Sequence, residues 1–376
     1  MRFALVTDAW RPQVNGVART LAALQKELAS AGHEAIPLTP DLFRTIPCPT
    51  DPEIRLAIRA LPRLARHLEA VAPDAIHIAT EGPIGFAARN YCIKRGFRFT
   101  TAYHTKYPEY LRARFGVPAS WIYAALRRFH RQSSAIMVAT ETVRDELTAR
   151  GFERVVPWSR GVDLSLFRPG CAPALDLPRP VFLYVGRVAA EKNLSAFLEL
   201  DLPGSKLIVG DGHLLSEMKH RYPKAYFAGR QEGEALVGYY ASADVFVLPS
   251  RTETFGLVLL EAMACGLPVA ALPVAGPLDV IGNSGAGVLD WDLRAAAMAA
   301  LDIPREICRA HATRFSWRTS TEQFLSHVVP MRDSPASSCV RNDLCATAPP
   351  PAFVGGAARG REARRWVRRR STQGGR

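Results

Sequence analysis

SRTETFGLVLLEAMACGLPVA, residues 250–270, combines a polar loop, an apolar helix, a tight turn and the start of a short apolar strand. It places Glu253 just before the predicted helix and Glu261 inside it, with Phe255-Gly256-Leu257 between the two carboxylates. A glycine at a loop-to-helix junction lets backbone N–H groups approach an anion, and the helix N-terminus adds a partial positive charge. The stretch therefore predicts a phosphate-binding helix start.

Two readings of this stretch remain open at this point. Carboxylates beside a phosphate repel it unless they face hydroxyl groups, from which they accept hydrogen bonds, and a nucleotide sugar offers both phosphate and hydroxyls. In the alternative reading, Ser250 and Glu253 form a capping box, and the following apolar residues form an ordinary packed helix.

Length and composition indicate a two-domain protein of the cytoplasm. The chain has 376 residues, 48% of them hydrophobic, which exceeds one ordinary core. Its seven cysteines are scattered and odd in number, without disulfide or zinc spacing, which is typical of a reducing compartment. The N-terminal MRFALVTDAW has too short an apolar run for a signal peptide and reads as a first strand.

The positive charge is concentrated at the C-terminus. Of the net charge of +13, residues 331–376 contribute +7 through ten arginines against three acids. Their Pro, Gly and Arg content predicts a basic disordered tail. The rest of the chain has no helix-turn-helix, zinc-finger or RNA-binding pattern, so no nucleic-acid partner is expected.

Short β-branched runs alternate with amphipathic segments throughout, which predicts an α/β fold of doubly wound parallel sheets. The alternation stops at a Pro- and Gly-rich stretch after residue 168 and then restarts. The predicted organisation is an N-terminal Rossmann-like acceptor-side domain, a C-terminal Rossmann-like nucleotide-sugar-binding domain, a C-terminal helix and the tail, over residues 1–168, 169–314, 315–330 and 331–376.

Several strand ends carry candidate ligand-binding residues, since ligands of such sheets bind at the carboxyl ends of the strands. Gly16 follows the first strand and begins a helix, and His104 ends another strand. Each also fits a purely structural role. Arg187 and Lys192 follow a strand of the second domain, where two cations would neutralise a diphosphate.

Residues 106–131 interleave arginines with aromatic side chains, as peripheral enzymes do where they lie on anionic lipid. A helix packed on its own sheet with a solvated arginine face is the alternative. Asp290-Trp-Asp292 matches a metal-diphosphate motif of another fold, but Asp292 is better interpreted as a helix N-cap. No protein metal site is predicted.

Taken together, the motifs resemble the retaining glycosyltransferases of family four, which have the GT-B fold: two facing Rossmann-like domains with the active site in the cleft. The resemblance covers about residues 1–330 and is carried by the following segments: VNGVARTL, AYHTKYPEY, SRGVDLSLF, GRVAAEKNL, VGDG, ASADVFVLPSRTETFGLVLLEAMACGLPVAA and FSW. Within that family, the chain resembles bacterial GDP-mannose-dependent α-mannosyltransferases.

The resemblance implies a role for each matching residue. Glu253 would bind the transferred sugar and Glu261 the ribose hydroxyls, while Arg187 and Lys192 would bind the donor diphosphate. The remaining donor-binding positions would be Gly16, Gly186, Phe255, Gly256 and Leu257. His104 would lie near the transferred sugar, and it joins Arg187, Lys192 and Glu253 as a predicted catalytic residue.

The expected function is a retaining α-mannosyl transfer from GDP-mannose to a lipid or glycan acceptor, requiring no cofactor. The enzyme would be cytoplasmic or peripheral on the inner membrane, with residues 106–131 on the lipid surface. Three alternatives stay open: a UDP-sugar-dependent enzyme acting on a glycolipid, a sugar-nucleotide epimerase, and a non-catalytic membrane-binding protein. A non-catalytic protein would be expected to lack one of the site cations or glutamates, but Arg187, Lys192, Glu253 and Glu261 are all present.

Overall fold

The computed structural model describes residues 1–332 except 12, 14, 49 and 50. Its strands, in chain order, are β1 (Arg2–Val6), β2 (Glu34–Leu38), β3 (Thr45–Cys48), β4 (Asp51–Ala57), β5 (Ala75–Ile78), β6 (Thr100–Tyr103), β7 (Ile136–Val138), β8 (Val155–Pro157), β9 (Val181–Val185), β10 (Ser205–Val209), β11 (Tyr226–Gly229), β12 (Val245–Leu248), β13 (Val269–Ala271) and β14 (Gly287–Leu289).

Helices connect most of these strands. They are α1 (Gly16–Ser30), α2 (Ala60–Val71), α3 (Pro83–Arg95), α4 (Tyr107–Phe115), α5 (Ala119–His130), α6 (Glu141–Ala149), α7 (Leu194–Leu198), α8 (Leu215–Arg221), α9 (Gly233–Ala241), α10 (Leu257–Ala264), α11 (Ala275–Val280), α12 (Leu293–Ala300), α13 (Arg305–Ala312) and α14 (Trp317–His327). Short 3₁₀ turns add Pro40–Leu42 and Ala190–Lys192.

Two six-stranded sheets form the framework. The first has the order β2-β1-β5-β6-β7-β8 and the second the order β11-β10-β9-β12-β13-β14, and neighbouring strands in both are parallel. Strands such as β5 and β9 are buried along their whole length, because helices cover both faces of a parallel sheet. The doubly wound α/β prediction is confirmed.

We call the first sheet with its connecting helices the first lobe, and the second sheet with its helices the second lobe. The central strands β1 and β9 each sit where the strand order reverses, which is where ligands of such sheets bind. The last helix, α14, packs on α1 of the first lobe, and its Phe324 lies edge-on to Phe3 at 6.0 Å. The boundary predicted after residue 168 stays a prediction.

Local features depart from the sequence expectations in two places and agree with them in a third. A β3–β4 antiparallel hairpin was not foreseen, because the prolines at positions 47 and 52 are atypical of strands. The alternative capping box at Ser250 is wrong, since α10 begins seven residues later and no side chain caps it. Asp292 does cap α12, accepting a hydrogen bond from the Ala295 N–H at 3.0 Å.

The predicted tail lies outside the described residues from position 333 onward. Within the described part of the chain, no helix combines the length and apolar character needed to cross a membrane.

Candidate active site

The strand-end loops of β9 and β12 meet in the second lobe. Because the two strands are parallel neighbours, their carboxyl ends open at the same edge of the sheet. The Asn193 side-chain amide donates to the carbonyl of Pro249 at 3.0 Å and so ties the loop after β9 to the loop after β12. This tie brings the residues predicted to bind phosphate next to those predicted to bind sugar.

Lys192 and Glu253 form an ion pair at this meeting point. Lys192 Nζ lies 2.7 Å from Glu253 Oε2, and the two side chains are 25% and 14% exposed. In the same loop, Arg187 pairs with Glu191 at 2.7 Å. Partial burial strengthens both pairs relative to fully exposed ones. The cations predicted to bind a diphosphate are thus paired with carboxylates.

The backbone around the two pairs is shaped by glycine. Gly256 has φ +86°, in the left-handed region, and a Cβ there would lie 2.9 Å from Leu259 Cδ1, so glycine is required for the sharp entry into α10. Phe255 is buried and anchors this turn edge-on to Phe315, at 6.4 Å between ring centroids. Gly186 donates its N–H to Val209 O at 3.0 Å, which leaves that N–H committed to the sheet.

Glu261 lies one turn into α10, and it is 3% exposed. Its carboxylate accepts a hydrogen bond from the Tyr240 hydroxyl at 3.0 Å and forms an ion pair with Arg19, which comes from α1 of the first lobe. Burial and the neighbouring carboxylate raise the pKa of Tyr240, so the phenol stays protonated and donates. The residue predicted to take ribose hydroxyls is therefore joined to both lobes.

Gly16 begins α1 and faces the start of α10. A Cβ on Gly16 would lie 3.9 Å from Leu257 Cδ1, which is ordinary van der Waals distance. Asn15 caps the helix by accepting a hydrogen bond from the Ala18 N–H at 2.9 Å. The first turns of α1 and α10 therefore face each other across the junction of the lobes.

His104 reaches the same junction from the end of β6. Its carbonyl accepts a hydrogen bond from Thr254 Oγ1 at 2.9 Å, and Thr254 directly follows Glu253. The Thr254 carbonyl in turn accepts from Thr140 Oγ1 at 3.2 Å. Burial, together with the charge of nearby Arg160, lowers the pKa of His104 well below its usual value. His104 is therefore neutral at physiological pH.

The predicted site residues thus lie on loops and helix starts that converge on one junction. Four residues of this region were not foreseen from the sequence, namely Arg19, Thr254, Tyr240 and Arg160. Of these, only Arg19 left a signal: a cation in the first turn of a helix is unfavourable for the helix dipole and indicates a nearby carboxylate.

The arrangement offers cations for phosphate and carboxylates for hydroxyls. Three ion pairs, Lys192–Glu253, Arg187–Glu191 and Arg19–Glu261, balance these charges. A search of the described part of the chain finds no cluster of three His, Cys, Asp or Glu residues able to hold a metal ion.

The chain is similar in sequence to known glycosyltransferases. Residues 14–166 match the profile of Glycosyltransferase Family 4, and residues 179–303 match that of Glycosyl transferases group 1. The GDP-mannose-dependent alpha-mannosyltransferase of Mycobacterium tuberculosis is 30% identical over 318 residues, which are 77% of this chain and 83% of that one. The sulfoquinovosyl transferase SQD2 of Arabidopsis thaliana is 30% identical over 255 residues, which are 63% of this chain and 50% of that one.

Among solved structures, the sucrose-phosphate synthase of Thermosynechococcus elongatus superposes with a TM-score of 0.69 at 20% identity, covering 86% of this chain and 97% of that one. The fold and the site define a glycosyltransferase with the two-lobe GT-B architecture. The chain belongs to glycosyltransferase family 4, and the predicted resemblance is confirmed.

Proposed function

We propose that this enzyme transfers mannose from GDP-mannose to a lipid or glycan acceptor, in α linkage and with retention. The observation that carries the proposal is the Lys192–Glu253 pair, 2.7 Å apart, at the junction where Gly16 and His104 arrive from the first lobe. The relative from Mycobacterium tuberculosis is a GDP-mannose-dependent alpha-mannosyltransferase, which supports the choice of GDP-mannose.

In the proposed complex, each ion pair exchanges one partner for the donor. Arg187 and Lys192 turn to the diphosphate, whose charge exceeds that of a single carboxylate. Glu253 and Glu261 are then free to accept hydrogen bonds from hydroxyls of the sugar and of the ribose. Gly16, Phe255, Gly256 and Leu257 shape the backbone around the donor. These roles extend the family resemblance to the positions observed here.

The proposed chemistry occurs on one face of the sugar. The bond from the anomeric carbon to the diphosphate breaks, the acceptor oxygen bonds to that carbon, and the acceptor's proton moves to a diphosphate oxygen. Arg187 and Lys192 stabilise the charge that develops on the leaving group. Glu253 is assigned to hydroxyl binding and not to attack on the sugar, so the proposal needs no covalent glycosyl intermediate. No cofactor is assigned to the reaction.

A lipid acceptor requires contact with a membrane, and we assign that contact to residues 106–131. Trp121, in the first turn of α5, is 71% exposed, whereas Phe129 of the same helix is buried in the core. Arg128 and Arg131 border a surface cavity of about 540 Å³, whose other lining residues are Arg89, Asn90, Ile93, Lys94 and Gln132. Cations and an exposed aromatic on one surface suit anionic lipid at the inner membrane face.

Isothermal titration calorimetry with GDP, UDP and ADP tests the nucleotide assignment. The expected result is GDP binding at least tenfold tighter than binding of the other two nucleotides. Tighter binding of UDP would overturn the GDP-mannose assignment in favour of the UDP-sugar alternative. A panel of nucleotide sugars incubated with extracted lipids, read by mass spectrometry, then identifies the product. The proposal requires a mass gain of one hexose from GDP-mannose.

A further inference from the structure

A buried cluster of polar and aromatic side chains lies behind His104 in the first lobe. His77 comes from the middle of β5, His104 from the end of β6, and Trp158 and Arg160 from the chain just after β8. The rings of His104 and Trp158 are edge-on with centroids 5.7 Å apart, and the His77 ring is also edge-on to Trp158, with centroids 5.6 Å apart.

Arg160 is the unusual member of this cluster, because it is only 3% exposed and none of its described contacts is a carboxylate. Its guanidinium donates to the carbonyls of Trp158 and Ser159 and lies 4.2 Å from the centroid of the Trp158 ring. Burial of an unpaired cation is costly, and it lowers the pKa of Arg160 to about 9. Arg160 therefore remains protonated at neutral pH.

The second guanidinium nitrogen of Arg160 points at His104, with Nη2 3.1 Å from Nδ1. A guanidinium has donors and no acceptor, so His104 Nδ1 has to be the acceptor. A histidine whose Nδ1 accepts carries its proton on Nε2. Within the described structure, His104 Nε2 is buried and has no hydrogen-bond partner.

We propose that Arg160 is a positioning residue that holds His104 as the neutral Nε2–H tautomer, so that His104 donates a hydrogen bond to an oxygen of the bound donor. This proposal rests on the proposed function for the identity of that oxygen, a sugar hydroxyl or phosphate oxygen. An imidazole in this state cannot remove a proton through Nε2. The acceptor's proton therefore does not pass to His104.

The surroundings of His104 favour this state across a wide pH range. The charge of Arg160 and the proximity of His77 both disfavour a second proton on the imidazole, and burial acts in the same direction. The described groups that act on the ring include no carboxylate that would stabilise an imidazolium. The Thr254 hydroxyl holds the backbone carbonyl of His104, and Arg160 and Trp158 contact its ring.

Nitrogen NMR of the full-length protein labelled with ¹⁵N-histidine tests the tautomer without any substrate. The His104 signals are assigned by their loss in His104→Gln. The expected result is a protonated Nε2, an unprotonated Nδ1, and no titration of the ring between pH 5 and 8. A protonated Nδ1, or titration within that range, would contradict the proposal, whichever donor the enzyme uses.

Turnover of GDP-mannose tests the consequence. Arg160→Met is expected to reduce kcat about 10- to 100-fold, as loss of an orienting partner does at other sites, with a smaller change in KM. Loss of the Arg160 charge removes one of the influences that oppose protonation of His104, while burial remains, so the decline of activity on the acid side is expected to move to higher pH than in wild type. Arg160→Lys keeps a charged donor, so it should recover part of the lost kcat and bring the acid side of the pH profile back toward that of wild type.

Arg309 provides a matched control, since it also donates to backbone carbonyls, those of Phe167 and Ala264, both at 2.7 Å, but contacts no described histidine ring. Arg309→Met is expected to lower stability and leave the pH profile of turnover unchanged. If Arg160→Met and Arg309→Met gave the same profile, Arg160 would be structural only. If no variant or wild type turned over GDP-mannose, the proposed donor would fail while the NMR result still decided the tautomer.

Discussion

Lys192 Nζ and Glu253 Oε2 lie 2.7 Å apart, although 61 residues separate them in sequence. The pair joins the loop after β9 to the loop after β12, and each group neutralises the charge of the other. This pairing allows the sugar-binding and phosphate-binding roles to be separated by mutation, because each side chain can be changed without removing the other.

Glu253→Gln tests the sugar-binding role. The amide keeps the shape of the side chain but loses the charge that binds hydroxyls and holds Lys192. Turnover of GDP-mannose is expected to fall at least about a hundredfold, while GDP, which lacks the sugar, should bind as well as to wild type or more tightly. Lys219→Ala on exposed α8 is the control and should change neither quantity. Unaltered turnover in Glu253→Gln would remove Glu253 from the site.

Arg19→Met tests the link between the lobes. It leaves the buried Glu261 carboxylate with only Tyr240 as a described partner, so the free energy of unfolding should fall. Because the Arg19 side chain is 39% exposed, water screens the pair, and a loss of about 1–2 kcal/mol is expected in urea unfolding.

Two further variants serve as controls for the Arg19→Met measurement. Adding Glu261→Gln to Arg19→Met should recover part of the loss, since the unpaired charge is then removed. Arg2→Met breaks an exposed pair with Glu34 and should cost no more than about 0.5 kcal/mol. Equal losses for Arg2→Met and Arg19→Met would show that the contact between lobes contributes nothing beyond a surface pair.

His77 makes stability depend on pH. Burial lowers its pKa to about 3 in the folded protein, whereas the unfolded chain has the ordinary value near 6.5. Below pH 6.5 the His77 imidazole binds a proton in the unfolded state but not in the folded state, so the free energy of unfolding falls as the pH falls. Between pH 6.5 and 5 the expected contribution of His77 is about 2 kcal/mol.

Urea unfolding at pH 7.5 and pH 5 measures this effect. His77→Asn removes the titrating ring but keeps a polar group near Thr100 Oγ1, which lies 2.9 Å from His77 Nδ1. The variant should lose less stability than wild type between the two pH values, and His220→Asn on exposed α8 should behave as wild type. An identical pH dependence for wild type and His77→Asn would exclude His77 as the cause.

Membrane contact is tested by sedimentation with anionic and neutral vesicles. Wild type should prefer anionic lipid, and each arginine lost from Arg127, Arg128 and Arg131 should weaken binding about fivefold, near 1 kcal/mol per charge. Replacement of Arg221, Arg230 and Arg318, which are exposed elsewhere, removes the same charge and should have little effect. Equal binding by all three proteins would refute docking through residues 106–131.

Much of the fold was predictable, because parallel strands buried on both faces appear in the sequence as apolar runs of regular spacing. The convergence of Arg187, Lys192 and Glu253 was also predictable, since the carboxyl ends of parallel strands share an edge. The exact start of α10 was not: Ser250 resembled a cap, but the left-handed turn at Gly256 delays the helix.

The contacts between lobes could not be predicted from sequence patterns. Arg19 pairs with Glu261, and Thr254 donates to the His104 carbonyl, only because two sheets built from separate parts of the chain face each other at these loops. Likewise, Arg160 lies in the family segment SRGVDLSLF, but nothing in that segment of the sequence indicates that Arg160 donates to His104 Nδ1. Such pairings depend on tertiary distances that local periodicity does not encode.

The diphosphate-binding role of Lys192 is tested most directly by calorimetry with GDP and GMP, on wild type and on Lys192→Ala. Wild type should bind GDP far more tightly than GMP, because the second phosphate gains Lys192 and Arg187. In Lys192→Ala that preference should fall at least tenfold, while GMP affinity changes little. An undiminished preference for GDP in Lys192→Ala would contradict the assignment of this junction as the donor site.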